Sequence, residues 1–488
     1  MRLGQLLEEL YFGDLSEDSR QIEICGLKSD SRKVTQGDLF FTLQGHMHNG
    51  KDFIKDAVSR GALAVVTSHE YDPGEQKNLN VCYLPAEDPR ELLDQAAHRF
   101  YGNPSEKVTT IGVTGTNGKT TVTYLIESIL YAAQQKCGVI GTVNYRWDGH
   151  SNEAIQTTPD FIDNQQFLAR LVEEHVPYCV MEVSSHALVQ ERTRGIHFQT
   201  AVFTNLTSDH LDYHKTHNDY FSAKARLFTI LNIHDTAIIN IDDLYGRQLL
   251  SMTEARVVTY GIKQPADIMA RDIELTISGT SFTLCYASKE VKVQTPLIGM
   301  YNIYNILAAV TACLEEKVDL ESIRNGIGRL TCIPGRLESV DYGQEFSIFI
   351  DYAHTEDALS NVLSAMRQVS QSKIILVFGC GGDRDWSKRL PMGQVASQLA
   401  DFSIVTSDNP RGEDPQSIID QITPGFRAGN FEVIVDRREA IKRALQLACG
   451  DDIVLIAGKG HETYQTILGE RNEFHEREII GEYLNANG

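Results

Sequence analysis

A chain of 488 residues, 42% hydrophobic and 23% charged, has the make-up of a globular protein and the length of roughly three domains. Its formal net charge of −21 argues against nucleic acid as a general partner, so any anionic ligand must meet basic residues gathered in clefts. No uninterrupted apolar run approaches the ~20 residues of a membrane span, and Glu8 and Glu9 break the opening segment, so neither a membrane anchor nor a secretory signal is expected. Nine cysteines stand singly, without a Cys-x-x-Cys pair, and most have apolar neighbours. They read as reduced, mostly buried thiols of a cytoplasmic protein, with no zinc site.

Residues 1–105 hold strand candidates at 37–43, 62–67 and 81–84, and Tyr101-Gly-Asn-Pro104 punctuates their end. The β-branched run 108–111 then leads into Gly-Val-Thr-Gly-Thr-Asn-Gly-Lys-Thr-Thr (112–121), followed by the apolar-periodic segment 122–131. That order predicts strand, glycine-rich loop, helix. Such a loop lets backbone N–H groups close on phosphate oxygens at the positive end of a helix. Lys119 would reach the outer phosphates and Thr120 would offer its hydroxyl to Mg²⁺. The spacing is not that of the standard P-loop, because Val113 stands where a glycine is needed. A turn with one exposed lysine is the plainer alternative.

The middle third alternates strand candidates (138–142, 178–183, 200–205, 236–241) with helices (161–174, 220–230, 302–315). The alternation predicts a mostly parallel sheet, with an antiparallel edge at 271–296. Glu182 follows an apolar run, where a carboxylate beside a phosphate loop would bind metal. Asp209, His210 and Asp212 form a denser cluster suited to Mg²⁺ or Mn²⁺, unless they are simply a solvated helix start. Lys224 falls in a helical apolar pattern and reads as a surface residue.

Cys332-Ile-Pro-Gly-Arg336 marks a second boundary, giving domains at 1–105, 106–333 and 334–488. The last contains buried-strand candidates at 346–351, 373–379, 402–406, 431–435 and 453–457. Polar loops follow at 379–385, 407–414 and 457–462, the edge where open α/β sheets place ligands. The arginines of the first two suit carboxylate recognition, and the three loops together suit a small charged ligand.

Taken together, GTNGKTT (115–121), EVSSHAL (182–188), TNLTSDHLDYH (204–214), MYNIYN (300–305), PGR (334–336), DYAHT (351–355) and AGKGHE (457–462) resemble the motifs of the Mur ligases. These are cytoplasmic ATP-dependent amide-forming enzymes of peptidoglycan synthesis. The DNPR tetrad at 408–411 is similar to that of members adding meso-2,6-diaminopimelate to UDP-MurNAc-L-Ala-D-Glu; lysine-adding relatives replace the arginine.

The resemblance implies a small N-terminal α/β domain for the uridine nucleotide, a central P-loop ATPase domain and a C-terminal Rossmann-like domain. It also implies site residues. Ser29, Ser31, His46, Met47 and His48 would hold the UDP end, and Gln156, Thr157, Thr158, Ser184, Gln190 and Arg192 the sugar-peptide. Gly115, Thr116, Asn117, Gly118, Lys119, Thr120 and Thr121, with Asn302 and Arg336, would bind ATP. Thr120, Glu182 and His210 would bind Mg²⁺, joined by Lys224 as a carbamate. Arg384, Asp408, Asn409, Pro410, Arg411, Gly458 and Glu462 would hold diaminopimelate. Lys119, Lys224 and His210 would be catalytic, with an acyl phosphate as intermediate and no role for His186 or His354 in a nucleophilic triad.

Glu356, Gln156 and Ser29 depart from common family residues without touching the phosphate or arginine positions. The rivals are a lysine-adding relative, a folylpolyglutamate synthase, and a nucleotide-binding regulatory protein without catalysis. The partners implied are small molecules and the expected state is a monomer.

Overall fold

The computed structural model describes residues 1–44, 49–70, 80–427 and 429–487. They form two compact units, one of 1–110, 158–179 and 189–197, the other of 111–157, 180–188 and 198–488. Among the described residues no helix is long and apolar enough to cross a membrane.

The first unit is built on a parallel sheet in the order β1 (Gly26–Lys28), β2 (Asp38–Phe41), β3 (Ala64–Ser68), β4 (Cys82–Ala86). Helix Pro89–Tyr101 begins where Asp88 accepts hydrogen bonds from the Arg90 and Glu91 N–H groups, and stops at Gly102 in the left-handed conformation. Its Leu92, Leu93, Ala96 and Ala97 share a core with Leu39, Phe41, Ala64 and Val66, joined by Phe161 and Ile162 of helix Phe161–Glu173. Truncating one such leucine to alanine costs about 2–5 kcal/mol, so these contacts hold the unit together.

The second unit carries two large sheets. Strands β5 (Thr109–Thr114), β6 (Cys137–Ile140), β7 (Asn144–Trp147), β8 (His150–Glu153), β9 (Tyr178–Glu182), β10 (Thr200–Phe203), β11 (Thr236–Asn240) and β12 (Arg256–Gly261) form the first with β13 (Ile268–Thr276), β14 (Gly279–Tyr286) and β15 (Lys289–Thr295). The order is β15-β14-β13-β12-β11-β10-β5-β9-β6-β7-β8. From β5 through β10, β11 and β12 to β13 the pairs are parallel, whereas β13–β15 form the expected antiparallel edge. Apolar residues on both faces of a strand call for cover on both faces, and β10 and β11 are buried end to end.

The second sheet runs β16 (Glu338–Val340), β17 (Ser347–Asp351), β21 (Ile453–Ala457), β18 (Ile374–Phe378), β19 (Phe402–Val405), β20 (Phe431–Val433). A hairpin of β22 (Tyr464–Ile467) and β23 (Glu470–Glu473) follows.

Two expectations need correction. The strand expected at 431–435 is a three-residue edge strand with no buried residue, because its outer side has no neighbour. All nine cysteines are free, but only Cys137, Cys179, Cys313 and Cys380 are buried; Cys25, Cys332 and Cys449 are exposed. Apolar neighbours in sequence do not fix which side of an element a thiol faces.

Adjacency within each sheet places the site. Strands β10, β5 and β9 lie side by side, so the loops leaving their C-terminal ends meet. In the second sheet β17, β21, β18 and β19 do the same with the loops after Asp351, Ala457, Phe378 and Val405.

Candidate active site

Gly115 and Gly118 adopt φ +148° and +89°, and a Cβ on either would lie 1.9 Å from Thr204 Oγ1 or 2.2 Å from Asn305 Oδ1. Only glycine allows this loop. Helix Lys119–Ala132 starts directly after it with no side-chain cap, so its first N–H groups face an open anion site. Lys119, half-buried, turns back over the loop and donates to the Gly115 and Thr116 carbonyls, both at 2.9 Å.

Lys224 is not on a helix surface. It is 2% exposed and donates to the same Gly115 carbonyl at 2.8 Å, with its amine 4.5 Å from the Tyr220 ring centroid. Helix His217–Thr229 turns Ser222, Arg226 and Thr229 to solvent and buries Tyr220, Ala223, Leu227 and Phe228, and this lysine lies on the buried side with them. Burial, and then the charge of Lys119, push the Lys224 amine well below its ordinary pKa. Burial lowers Lys119 as well, against the pull of Glu182 and Asp209.

Glu182, 1% exposed at the end of β9, accepts from Thr120 Oγ1 at 3.1 Å, Thr142 N at 2.8 Å and Thr142 Oγ1 at 3.0 Å. The Thr120 hydroxyl and the Glu182 carboxylate therefore offer adjacent oxygen donors, the chemistry Mg²⁺ prefers. Among the described residues no three His, Cys, Asp or Glu side chains enclose a metal by themselves.

His210 adopts φ +54° and stacks edge-on to His186, with ring centroids 4.8 Å apart. Burial, with His186, Lys119 and Lys224, holds its pKa at about 4 against the pull of Asp209. The ring is neutral at pH 7 and keeps a lone pair available. Of the three residues picked from this cluster, the side chain of Asp212 lies outside the described residues.

Beside the loop lies a cavity of about 330 Å³ lined by Asn117, Gly118, Thr120, Thr121, Asn302 and Arg336 among others. Arg336 reaches in from the loop before β16, donates to Thr120 Oγ1 at 3.2 Å and lies over the Tyr352 ring. Gly115, Thr116 and Lys119 complete the loop without lining the cavity.

The three loops of the second sheet interlock. Asn409 Nδ2 donates to Glu462 Oε2 at 2.7 Å, and Asn409 Oδ1 accepts from Lys459 Nζ at 3.0 Å and Thr466 N at 2.9 Å. Lys459, wholly buried, also donates to Glu462 Oε2 at 3.1 Å. Asp408 is buried, its Oδ2 without a hydrogen-bond partner among the described residues, and a Cβ on Gly458, which has φ +120°, would come within 2.6 Å of that oxygen. Pro410 is buried between them in sequence and Arg411, at φ +52°, donates through Nη1 to Gly382 O at 2.7 Å. Arg384 is exposed on the neighbouring loop.

Family models match along the chain: the Mur ligase family catalytic domain over residues 23–101, the Mur ligase middle domain over 113–313, and the Mur ligase glutamate ligase domain over 335–460. The chain belongs to the Mur ligase family. It is 42% identical over 486 residues to UDP-N-acetylmuramoyl-L-alanyl-D-glutamate--2,6-diaminopimelate ligase 1 of Clostridium acetobutylicum, covering 99% of this chain and 98% of that one. The corresponding Bacillus cereus ligase is 44% identical over 468 residues, 95% of this chain and 94% of its own. A solved structure of a UDP-N-acetylmuramoyl-L-alanyl-D-glutamate--2,6-diaminopimelate ligase superposes with a TM-score of 0.68 at 33% identity, over 100% of this chain and 99% of that one.

The remaining positions expected from Mur ligase motifs are distributed between the units. In the first, Arg192 donates to Gln190 Oε1 at 2.6 and 3.0 Å and to the Thr158 carbonyl at 3.0 Å, so these three are brought together. Ser31 is buried against Asp56, whose carboxyl its hydroxyl helps to lower, and Ser29 is half-buried nearby in sequence. His46, Met47 and His48 lie outside the described residues. In the second, Thr157 Oγ1 is 3.0 Å from Thr142 Oγ1, the Gln156 carbonyl accepts from Tyr145, and Ser184 Oγ caps Ala187 N.

Sequence reasoning passed over Lys459 and Asp357. Asp357 accepts from Asn117 Nδ2 at 2.8 Å and Thr207 Oγ1 at 3.0 Å across 240 and 150 residues. No local spacing signals contacts of that range; the Asp two residues after the DYAHT motif was the only hint.

Proposed function

We propose that this chain is the ATP-dependent ligase that joins meso-2,6-diaminopimelate to the D-Glu carboxylate of UDP-MurNAc-L-Ala-D-Glu, acting as a monomer in the cytoplasm on peptidoglycan precursors. The observation that carries the reading is the convergence of Lys119 and Lys224 on the Gly115 carbonyl beside the Thr120–Glu182 pair. Full-length likeness to diaminopimelate ligases supports the choice of substrates.

The γ-phosphoryl group of ATP passes to a carboxylate oxygen of the dipeptide, releasing ADP and leaving an acyl phosphate. The free amine of diaminopimelate attacks the acyl carbon, the carbon–oxygen bond to phosphate breaks, and the amine's surplus proton leaves as the amide forms. Lys119 and the loop N–H groups set positive charge against the transferring phosphoryl oxygens. When bound through Thr120, Glu182 and His210, Mg²⁺ would neutralise the phosphate charge further.

Lys224, whose amine is depressed by burial and by Lys119, forms a nitrogen–carbon bond with CO₂ from its neutral form and releases a proton. The resulting carbamate would offer anionic oxygens to a second Mg²⁺. The Thr158–Gln190–Arg192 group and Ser29 and Ser31 hold the nucleotide-sugar substrate. Arg384, Asp408, Asn409, Arg411, Gly458 and Glu462 hold the amino acid.

Phosphate release from ATP, followed with UDP-MurNAc-L-Ala-D-Glu and a panel of amino acids, tests the assignment. Turnover should require the dipeptide substrate and be fastest with meso-diaminopimelate. Preference for lysine or glutamate would reassign the substrate.

A further inference from the structure

Four aspartates line the cavity beside the glycine loop: Asp242, Asp243, Asp351 and Asp357. Three have both oxygens occupied by backbone N–H groups. Asp242 takes Gln264 N on Oδ1 and Ile262 N and Lys263 N on Oδ2. Asp243 takes Tyr245 N and Gly246 N on one oxygen and Leu206 N on the other, and Asp351 takes Ala353 N and Leu337 N. Asp357 differs. Its hydrogen bonds, from Asn117 Nδ2 at 2.8 Å, Thr207 Oγ1 at 3.0 Å and Asn361 Nδ2 at 3.2 Å, all fall on Oδ2. Among the described residues nothing donates to Oδ1.

A carboxylate oxygen left open at a cavity wall accepts donors from the occupant. Its position narrows the donor. Asn117 belongs to the glycine loop, so Asp357 stands one side chain away from the phosphate-binding backbone. Ala358 and Val362 of the same helix, with Leu297 and Ile333, give the cavity apolar lining suited to a base. Between the phosphates and the base of a nucleotide lies the sugar, whose vicinal hydroxyls are O–H donors.

We propose that Asp357 Oδ1 accepts a hydrogen bond from a sugar hydroxyl of the bound nucleotide and makes the site selective for ribonucleotides over deoxyribonucleotides. The inference rests on the nucleotide reading above.

Calorimetric affinities for ATP, 2′-deoxy-ATP and 3′-deoxy-ATP in the presence of Mg²⁺, without other substrates, test it. In the wild type one deoxynucleotide should bind about 10- to 100-fold more weakly than ATP, the range spanned by a charge-assisted hydrogen bond. Asp357→Ala should weaken all three nucleotides, because Asn117 and Thr207 lose their acceptor, and bring the ratio close to one. Taking the ratio cancels the shared structural loss. Should that variant not fold, Asp357→Asn keeps an acceptor oxygen without its charge and should shrink the same ratio.

Equal binding of the three nucleotides by the wild type, or a ratio unchanged in the variants, overturns the proposal. Normal ligation without any sugar preference refutes the sugar contact alone. A sugar preference in a protein that ligates no amino acid upholds the contact and refutes the reaction. Absence of ATP binding refutes both.

Discussion

Lys224 owes its chemistry to where the helix carries it. An ordinary lysine, with a pKa of about 10.4, is neutral in roughly one molecule per thousand near pH 7.4, and each unit of depression raises that fraction tenfold. Buried against the Tyr220 ring and repelled by Lys119, the Lys224 amine is depressed well below that value, so a larger share of it is neutral and open to CO₂. Protein depleted of CO₂ should therefore lose activity and regain it with bicarbonate at pH 7–8. The regain should fade as pH falls through the amine's lowered pKa, because the protonated amine cannot react. Lys224→Ala should lose at least ~100-fold in kcat, with acetate or propionate restoring part by standing in for the carbamate, since oriented charge at a phosphoryl-transfer site is worth that much. An alanine variant turning over at the wild-type rate would make Lys224 a packing residue. The sequence showed the lysine but not its burial: the helix pattern around it is apolar enough to be core, yet one lysine in such a pattern is ordinarily the solvent face. Lys459 was hidden because its burial depends on contacts beyond its own loop: besides Glu462, three residues on, it bonds to Asn409, 50 residues away.

The strands carrying the site were legible because β5, β9, β10, β17, β18, β19 and β21 are short apolar or β-branched runs ending in polar loops. The β7–β8 and β22–β23 hairpins were not recognised, since their faces carry no buried alternation. Their turns did leave a mark: Asp148-Gly149 and Leu468-Gly469 all take positive φ, as a type I′ turn requires, and the Asp-Gly pair is a hairpin signal in its own right. The second hairpin matters to the loop at 407–414, because Arg411 N donates to Thr466 O at 3.0 Å and Arg411 pairs with Ile467. Backbone pairing at φ +52° fixes the direction of the Arg411 side chain, whose Nη1 is held by Gly382. Nε and Nη2 have no partner among the described residues and suit the distal carboxylate of diaminopimelate, which lysine lacks. A charge-assisted pair contributes about 1.5–3 kcal/mol, and an unpaired buried partner adds a penalty, so wild type should prefer diaminopimelate at least ~100-fold in kcat/KM. Arg411→Ala should erode that preference, whereas Arg384→Ala should weaken both amino acids alike. A competition assay with both amino acids decides it; a ratio that survives in Arg411→Ala removes the arginine from substrate selection.

At the scale of the molecule, a net charge of −21 has to coexist with phosphate-bearing substrates. The basic groups set against it are local: Lys119 and Arg336 face the glycine loop. Arg336 comes from the C-terminal sheet region, as does Asp357, and each bonds to the glycine-loop segment, through Thr120 and Asn117. The cavity beside the glycine loop therefore has one wall from each sheet of the second unit. Motifs in the sequence announced both walls, but which loop meets which depends on strand order, and strand order is set by packing across hundreds of residues. A shared cavity has a measurable consequence. A ligand that contacts both walls removes the local openings of both, whereas one that contacts only the loop protects the loop alone. Hydrogen exchange with a non-hydrolysable ATP analogue and Mg²⁺ should therefore slow together at 115–121 and at 333–336 and 355–362. Arg336→Ala should weaken the protection of the second set more than the first, since it deletes one wall's contact and leaves the glycine loop intact. Protection confined to 115–121 in the wild type would mean that the nucleotide is bound by the central sheet alone, and that Arg336 and Asp357 serve only to hold the two sheets in register.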